Sequence, residues 1–161
     1  MARSPLLLVL LSQAVTVACA TVPVQRTFDR QEVLPSVAFD SVWNAVIDLF
    51  GERAWTIANM EKASGFINSD WMGATTSPTY LDCGSPGIST DTNKQGRFNV
   101  VVREEPRGVT VTVNTTWRAA RSFGGSTTNV ECVSTGILEG EIHTELRKRL
   151  GIRSQSASVL R

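Results

Sequence analysis

Val109-Thr110-Val111-Thr112-Val113-Asn114-Thr115-Thr116-Trp117 is the stretch that decides the fold. Val109, Val111, Val113, Thr115 and Trp117 fall on one side of a period of two, and Thr110, Thr112, Asn114 and Thr116 on the other. Successive side chains of a strand point to opposite faces, so this is a half-buried strand with one apolar and one Thr/Asn face. Ahead of it, Glu105-Pro106-Arg107-Gly108 has turn chemistry, and residues 97–103 carry the run Val100-Val101-Val102. The spacing predicts an antiparallel hairpin with one wet face.

Working outward toward the C-terminus, Gly124-Gly125 marks a turn and 127–133 a further strand. Leu138, Ile142, Leu146 and Leu150 recur every four residues, which predicts a helix over 135–150. Glu139, Glu141 and Glu145 precede Arg147, Lys148 and Arg149, the charge order that suits a helix dipole. The basic cluster is therefore read as a helix C-terminus rather than a nucleic-acid patch. The Ser-rich residues 152–161 read as a flexible tail.

Toward the N-terminus, residues 84–96 hold three Gly, one Pro and many polar groups and read as the longest loop. Residues 79–83 read as a short strand, and 55–60 with 66–72 as a hairpin turning at Ala63-Ser64-Gly65. Phe39, Val42, Trp43, Val46, Leu49 and Phe50 form one apolar stripe at helical period, predicting a helix over 39–53. Asp40 or Ser41 is its expected cap and Gly51 its expected end, with Trp43 and Phe50 in the core. Glu32-Val33-Leu34 reads as an edge strand. The fold class is α+β: an antiparallel sheet of about five to six strands with two amphipathic helices on one face, in a single domain over 32–151.

The chain has 161 residues, 42% hydrophobic and 19% charged, with a formal charge of +1. This is an ordinary globular composition of one-domain size. Removal of Arg3 with the leader leaves cations and acids equal in number. That excludes a strongly basic nucleic-acid binder and a polybasic membrane-surface protein.

The leader MARSPLLLVLLSQAVTVACA begins with a basic flank at Arg3 and an apolar run over 6–11. It is too short and interrupted for a membrane span, which needs about 20 apolar residues. It reads as an export signal. Ala18-Cys19-Ala20 is a small-x-small site that would leave Thr21 first, the route to a soluble periplasmic or secreted protein. Val15-Thr16-Val17-Ala18-Cys19 resembles a bacterial lipobox, which implies removal of 1–18 and acylation of Cys19. The second reading is carried forward, with residues 19–31 as anchor and tether. Ala20 stands where an Asp often retains Gram-negative lipoproteins at the inner membrane, so the outer membrane is the favoured location, with the domain facing the periplasm. Once Cys19 is acylated, Cys83 and Cys132 remain, an even pair in an oxidising compartment and hence an expected disulfide.

Phe39-Asp40-Ser41-Val42-Trp43-Asn44-Ala45, followed by Gly51, Trp55-Thr56-Ile57, Lys62 and Ser64-Gly65-Phe66-Ile67, resembles a known pattern. It is similar to the repeating unit of the helix-grip domains in the BamC (NlpB-like) lipoproteins of bacterial envelopes, whose common shape is VWxAL…GWxI…DKxxGxIxT. The likeness covers residues 39–72. This chain has one such domain where BamC has two, and adds a Cys pair. The resemblance implies a helix-grip-like two-layer sandwich in an envelope lipoprotein, with no catalytic residues to carry over.

The motifs of chemistry are few. His143, the single His, stands among Glu141, Thr144 and Glu145 and reads as a solvated helix residue. No G-x-S-x-G, Walker loop or G-x-G-x-x-G is present in the sequence. Tyr80-Leu81-Asp82-Cys83-Gly84 reads as a strand flanking the disulfide, and Glu104-Glu105 as a solvated turn. No cofactor, metal or nucleic acid is expected. The expected function is a non-catalytic envelope module bound to the bilayer through Cys19. An envelope protein partner would meet the Thr-rich strand face or the 84–96 loop. The alternative is an exported helix-grip-like binder of a small apolar ligand or lipid, held between sheet and helices.

Overall fold

The structure, a computed structural model, describes residues 21–73 and 78–152. The strand that opened the reading is the centre of the sheet. It is β7 (Gly108–Phe123), preceded by β6 (Thr90–Glu105), and the two pair antiparallel from Glu105↔Gly108 to Thr90↔Ser122. On the far side of β6 lie β3 (Phe66–Ser69) and then β2 (Ile57–Glu61), with the two-residue β4 (Met72–Gly73) continuing alongside β6. The far side of β7 is shared by β1 (Gln31–Leu34) at one end and β8 (Ser126–Ser134) at the other. A 3-10 turn over Pro78–Tyr80 leads into β5 (Leu81–Asp82), which closes the order β2-β3-β6-β7-β8-β5.

Among the described residues the fold is α+β, an open antiparallel sheet of eight strands with two helices. The sheet is larger than the five to six strands expected, for local reasons. The stretch 66–72 is split in two by a bulge: between Asn68↔Asn99 and Met72↔Gly96, three residues face two of β6. The Ser69 side chain lies buried at that step, and its Oγ accepts the Phe98 N–H at 2.9 Å that the ladder leaves over. The strand β5 is two residues long, too short for any periodicity. Most of the expected 84–96 loop is also strand. Residues 90–96 are polar, but their partner β7 continues to Phe123, and the backbone ladder recruits them whatever their side chains are. A second bulge near Thr92, with Asn93 in the left-handed region, interrupts that extension.

Helix α1 (Phe39–Glu52) buries Val42, Trp43, Ala45, Val46, Leu49 and Phe50, the stripe the sequence predicts. Its N-cap is Ala38, with no side-chain cap, while Asp40 pairs with Lys62 at 2.9 Å. Gly51 stays helical, and the left-handed residue is Ala54. The turn sits there because Trp55 folds back: its N–H reaches the Phe50 carbonyl at 2.9 Å, and its ring packs on Phe50 and Phe98. Helix α2 (Ile137–Arg149) lies over β7, where Glu139 meets Thr115. Phe98, under α1, is the ladder partner of Thr115, so both helices cover the same face. Phe50, Phe98, Val100, Val111, Val113, Leu138 and Ile142 fill the layer between and are almost wholly buried.

Trp117 lies in this layer across its ladder partner Gly96. A methyl group on Gly96 would overlap the indole ring itself. Replacing Gly96 by Ala is expected to cost about 1–3 kcal/mol through overpacking. A lower urea midpoint at unchanged slope would show it, and an unmoved midpoint would mean that Trp117 is free to repack.

Candidate functional site

Cys19, the expected lipidation site, and the signal over 1–18 lie outside the described residues. From Thr21 on, the segment is hydrogen-bonded to the domain at several points. The Thr21 N–H donates to the Ser85 carbonyl at 3.2 Å, and the Ser85 N–H donates to Thr21 Oγ1 at 3.0 Å. The Val24 N–H donates to Asp82 Oδ2, Phe28 packs over Gly136, and the Arg30 carbonyl accepts from the Val113 N–H at 2.8 Å. At the other end, Ile152 packs against the core, and residues 153–161 lie outside the description.

Cys83 and Cys132 form a disulfide closing a 49-residue separation. They follow directly on the β5–β8 pairs Leu81↔Ser134 and Asp82↔Val133, so the bridge prolongs that short ladder covalently. Arg121 braces the same corner. Its guanidinium donates to both Asp91 carboxylate oxygens at 2.7 and 2.8 Å and to the Cys83 carbonyl at 2.9 Å. The hydrogen bonds from Arg121 hold the Asp91 carboxyl below its ordinary range. Tyr80, flagged by the sequence, donates its hydroxyl to Glu141 at 2.7 Å. The chain-entropy estimate for the disulfide is about 4 kcal/mol. Replacing both cysteines by Ser should therefore lower the urea midpoint substantially. A shift within error would show that the unfolded chain gains nothing from losing the link.

His143 is a correction to the sequence reading: it is buried, 6% exposed, not solvated. The four-residue leucine stripe marks the centre of the buried face, but α2 also buries the neighbouring row, Glu139 and His143. That row is tolerated because the sheet offers polar partners. Glu139 accepts from Thr115 Oγ1 at 2.7 Å and Ser134 Oγ at 2.9 Å. Glu32, facing inward from β1, lies 3.9 Å from His143 Nδ1 and accepts from Arg147 at 2.5 Å. Burial lowers the His143 pKa below its ordinary value. Arg147 adds to that, while Glu32, Glu139 and the Val111 backbone oppose it. The unfolded chain then takes up the proton first, so the stability contribution is whole above about pH 6.5 and is lost as pH falls below it. Thermal midpoints should drop between about pH 8 and pH 5.5. The slope should flatten in His143→Gln, and an unchanged slope would remove His143 as its source.

The opposite face of the sheet is covered by neither helix. It presents Thr112, Asn114 and Thr116 of β7, as the alternation predicts, while Thr110 on the same side is buried; it also holds a set of residues that no single strand shows. Asn59, Asn68, Asn99 and Asn114 are successive ladder partners and form one row across β2, β3, β6 and β7. At about 4.8 Å per strand the row spans about 14 Å. Asn114 Nδ2 donates to Asn99 Oδ1 at 3.1 Å. One step along the strands stands Trp71, placed on this face by the bulge before β4. The Arg118 guanidinium lies 3.8 Å from its ring centroid and that of Arg97 4.9 Å. Arg118 also donates to Gln95 Oε1 at 2.9 and 3.2 Å. Among the described residues no carboxylate lies within 4.0 Å of either guanidinium. Two stacked, oriented cations beside a carboxamide row can bind carboxylates and hydrogen-bonding groups. No sequence motif announces this set, because its members come from four strands.

Among the described residues no group of three or more His, Cys, Asp or Glu could hold a metal, and no helix is long and apolar enough to cross a membrane. No known protein-family model matches the chain, and no curated protein matches it significantly.

Proposed function

We propose that this chain is a bacterial cell-envelope lipoprotein, anchored through acylated Cys19 and facing the periplasm. It acts without catalysis as an interaction or assembly module. The reading keeps the helix-grip-like architecture and the BamC-like likeness of residues 39–72 as its analogy. The observation that carries it is the open sheet face, where Arg97 and Arg118 are stacked on Trp71 beside the Asn59–Asn68–Asn99–Asn114 row, with no carboxylate partner among the described residues. The partner this chemistry suits is an envelope protein presenting acidic and amide groups on a flat surface. The Cys83–Cys132 disulfide fits an oxidising compartment, and the leader supplies the route there.

The alternative, an apolar ligand held between helices and sheet, has less support. Trp43, Phe50, Phe98 and Trp117 occupy that space and are nearly wholly buried. The clefts beside Cys83 and Gly84, beside Gly65 and Glu104, and beside Phe28 and Arg107 are open at the surface and lined by polar groups as much as by apolar ones.

Two measurements test the reading. Intact mass of the protein from its native membrane is expected to show a diacylglyceryl group on Cys19, whereas an unmodified start at Thr21 would make it a soluble exported protein. A photo-crosslinker at Thr112 is expected to capture a discrete envelope protein, and the double change Arg97→Ser/Arg118→Ser to reduce capture severalfold at unchanged stability. Capture no stronger than from Lys62, away from the face, would sink the contact surface.

A further inference from the structure

Among the described residues, the large apolar side chains that stand in solvent are not scattered. They are Val22, Val24, Met60, Ile88, Phe123 and Ile137, with Val22 83% and Ile88 74% exposed. All but Met60 lie at one end. Phe123 closes β7 beside the β6 start, since Ser122 pairs with Thr90, and Ile88 is two residues before Thr90. Val22 and Val24 belong to the segment laid over Gly84 and Asp82. Ile137 lines the cleft that Cys83, Gly84, Pro86 and Ser89 border, and Arg26 and Lys94 stand on the same rim with Asp91, which is paired with Arg121, and Asp82, which accepts from the Val24 and Gly84 N–H groups. The opposite end, around the β6–β7 turn, carries Glu104, Glu105, Arg107 and Lys62, all exposed.

This end is also where the chain enters the domain. Thr21 is fixed to Ser85 by two hydrogen bonds. Only Ala20 separates it from Cys19, and two residues of extended chain reach at most about 7 Å. Resting on the reading of Cys19 as the acylated residue, we infer that this apolar end is a membrane-contact surface. The domain lies against the lipid headgroups with Val22, Val24, Ile88 and Phe123 entering the interface, and Arg26 and Lys94 meeting anionic headgroups. The anchor cannot hold the domain at a distance, because the segment that would be its spacer is bonded to the rim. Apolar side chains facing the bilayer add to the acyl chains, and the basic flank adds attraction to anionic lipid.

The test uses the full mature protein, its acylation fixed by intact mass, in vesicles of phosphatidylethanolamine and phosphatidylglycerol. A lipid carrying a photoreactive group at the top of its acyl chain is included. Crosslinks are expected on the peptides holding Ile88 and Phe123, and not on the one spanning 105–108. Ile88→Ser/Phe123→Ser should reduce the rim crosslinks severalfold while the protein stays anchored. Crosslinks confined to the Cys19 peptide, or equal at both ends of the domain, would overturn the surface while leaving the anchor intact. If the mass shows no acylation, the anchor reading fails by itself. The same vesicles then decide the surface: co-sedimentation of the unacylated chain that the double variant weakens supports it, and its absence overturns it.

Discussion

The antiparallel register between β6 and β7 is the constraint on which the rest of the structure depends. Strand side chains alternate, so a slip of one residue would turn one strand over relative to the other. Either Phe98, Val100 and Val102 would then meet water while Arg97 and Asn99 met the helices, or Val109, Val111 and Val113 would meet water while Asn114 met the helices. Two features hold the register. The turn between Glu105 and Gly108 admits two residues only, and Trp117 fits only opposite a residue without a side chain, which is Gly96. The other strands take their places from this pair: β3 and β4 from β6, β1 and β8 from β7, and β2 and β5 in turn from β3 and β8.

Because both helices take one face, the other is left for whatever the molecule meets. Its polarity is not simply the absence of a core. Guanidinium groups stacked on an indole lose part of their freedom before any partner arrives, which lowers the ordering cost of binding. The buried polar groups on the helix side play a different part. Glu139, with Thr115 and Ser134, and Glu32, with Arg147 and His143, tie α2 to β7, β8 and β1 at fixed positions. They fix where the helix sits more than how strongly it is held, since burying such groups costs much of what their bonds return.

What could be read from the sequence was what a single element shows by itself. The period of two in β7 and the apolar stripe of α1 are local patterns, each repeated enough times to exclude the alternative period. The burial of His143 is not local. It depends on Glu32, more than a hundred residues away, arriving on the inward side of β1 to meet it. The first residues of β6 read as loop because both their faces are polar, and only the length of β7 makes them strand. The Asn row needs three registers to be known before its members are seen as neighbours. The bulge that turns Trp71 outward is set by Ser69 replacing one backbone partner, for which no spacing gives a sign.

The same long hairpin connects the two proposed surfaces. Its distal end, from about Gln95 and Arg118 onward to Thr90 and Phe123, is stiffened by the Asp91–Arg121 pair and the disulfide at its flank. If that end rests on the bilayer, the strands run away from the membrane and the open face looks sideways along it. A partner held in the same membrane would then meet the Asn row and the two arginines by lateral approach, without either protein leaving the lipid. Confining both to a surface raises their effective concentration, as tethering does, so a modest polar contact can suffice where a free domain would need a large apolar one. The disulfide belongs to that arrangement: it fixes Cys83, and through the adjoining Gly84 and Ser85 the docked Thr21, to the strand that borders the face. Thr21, the rim and the open face are thereby held in one rigid relation.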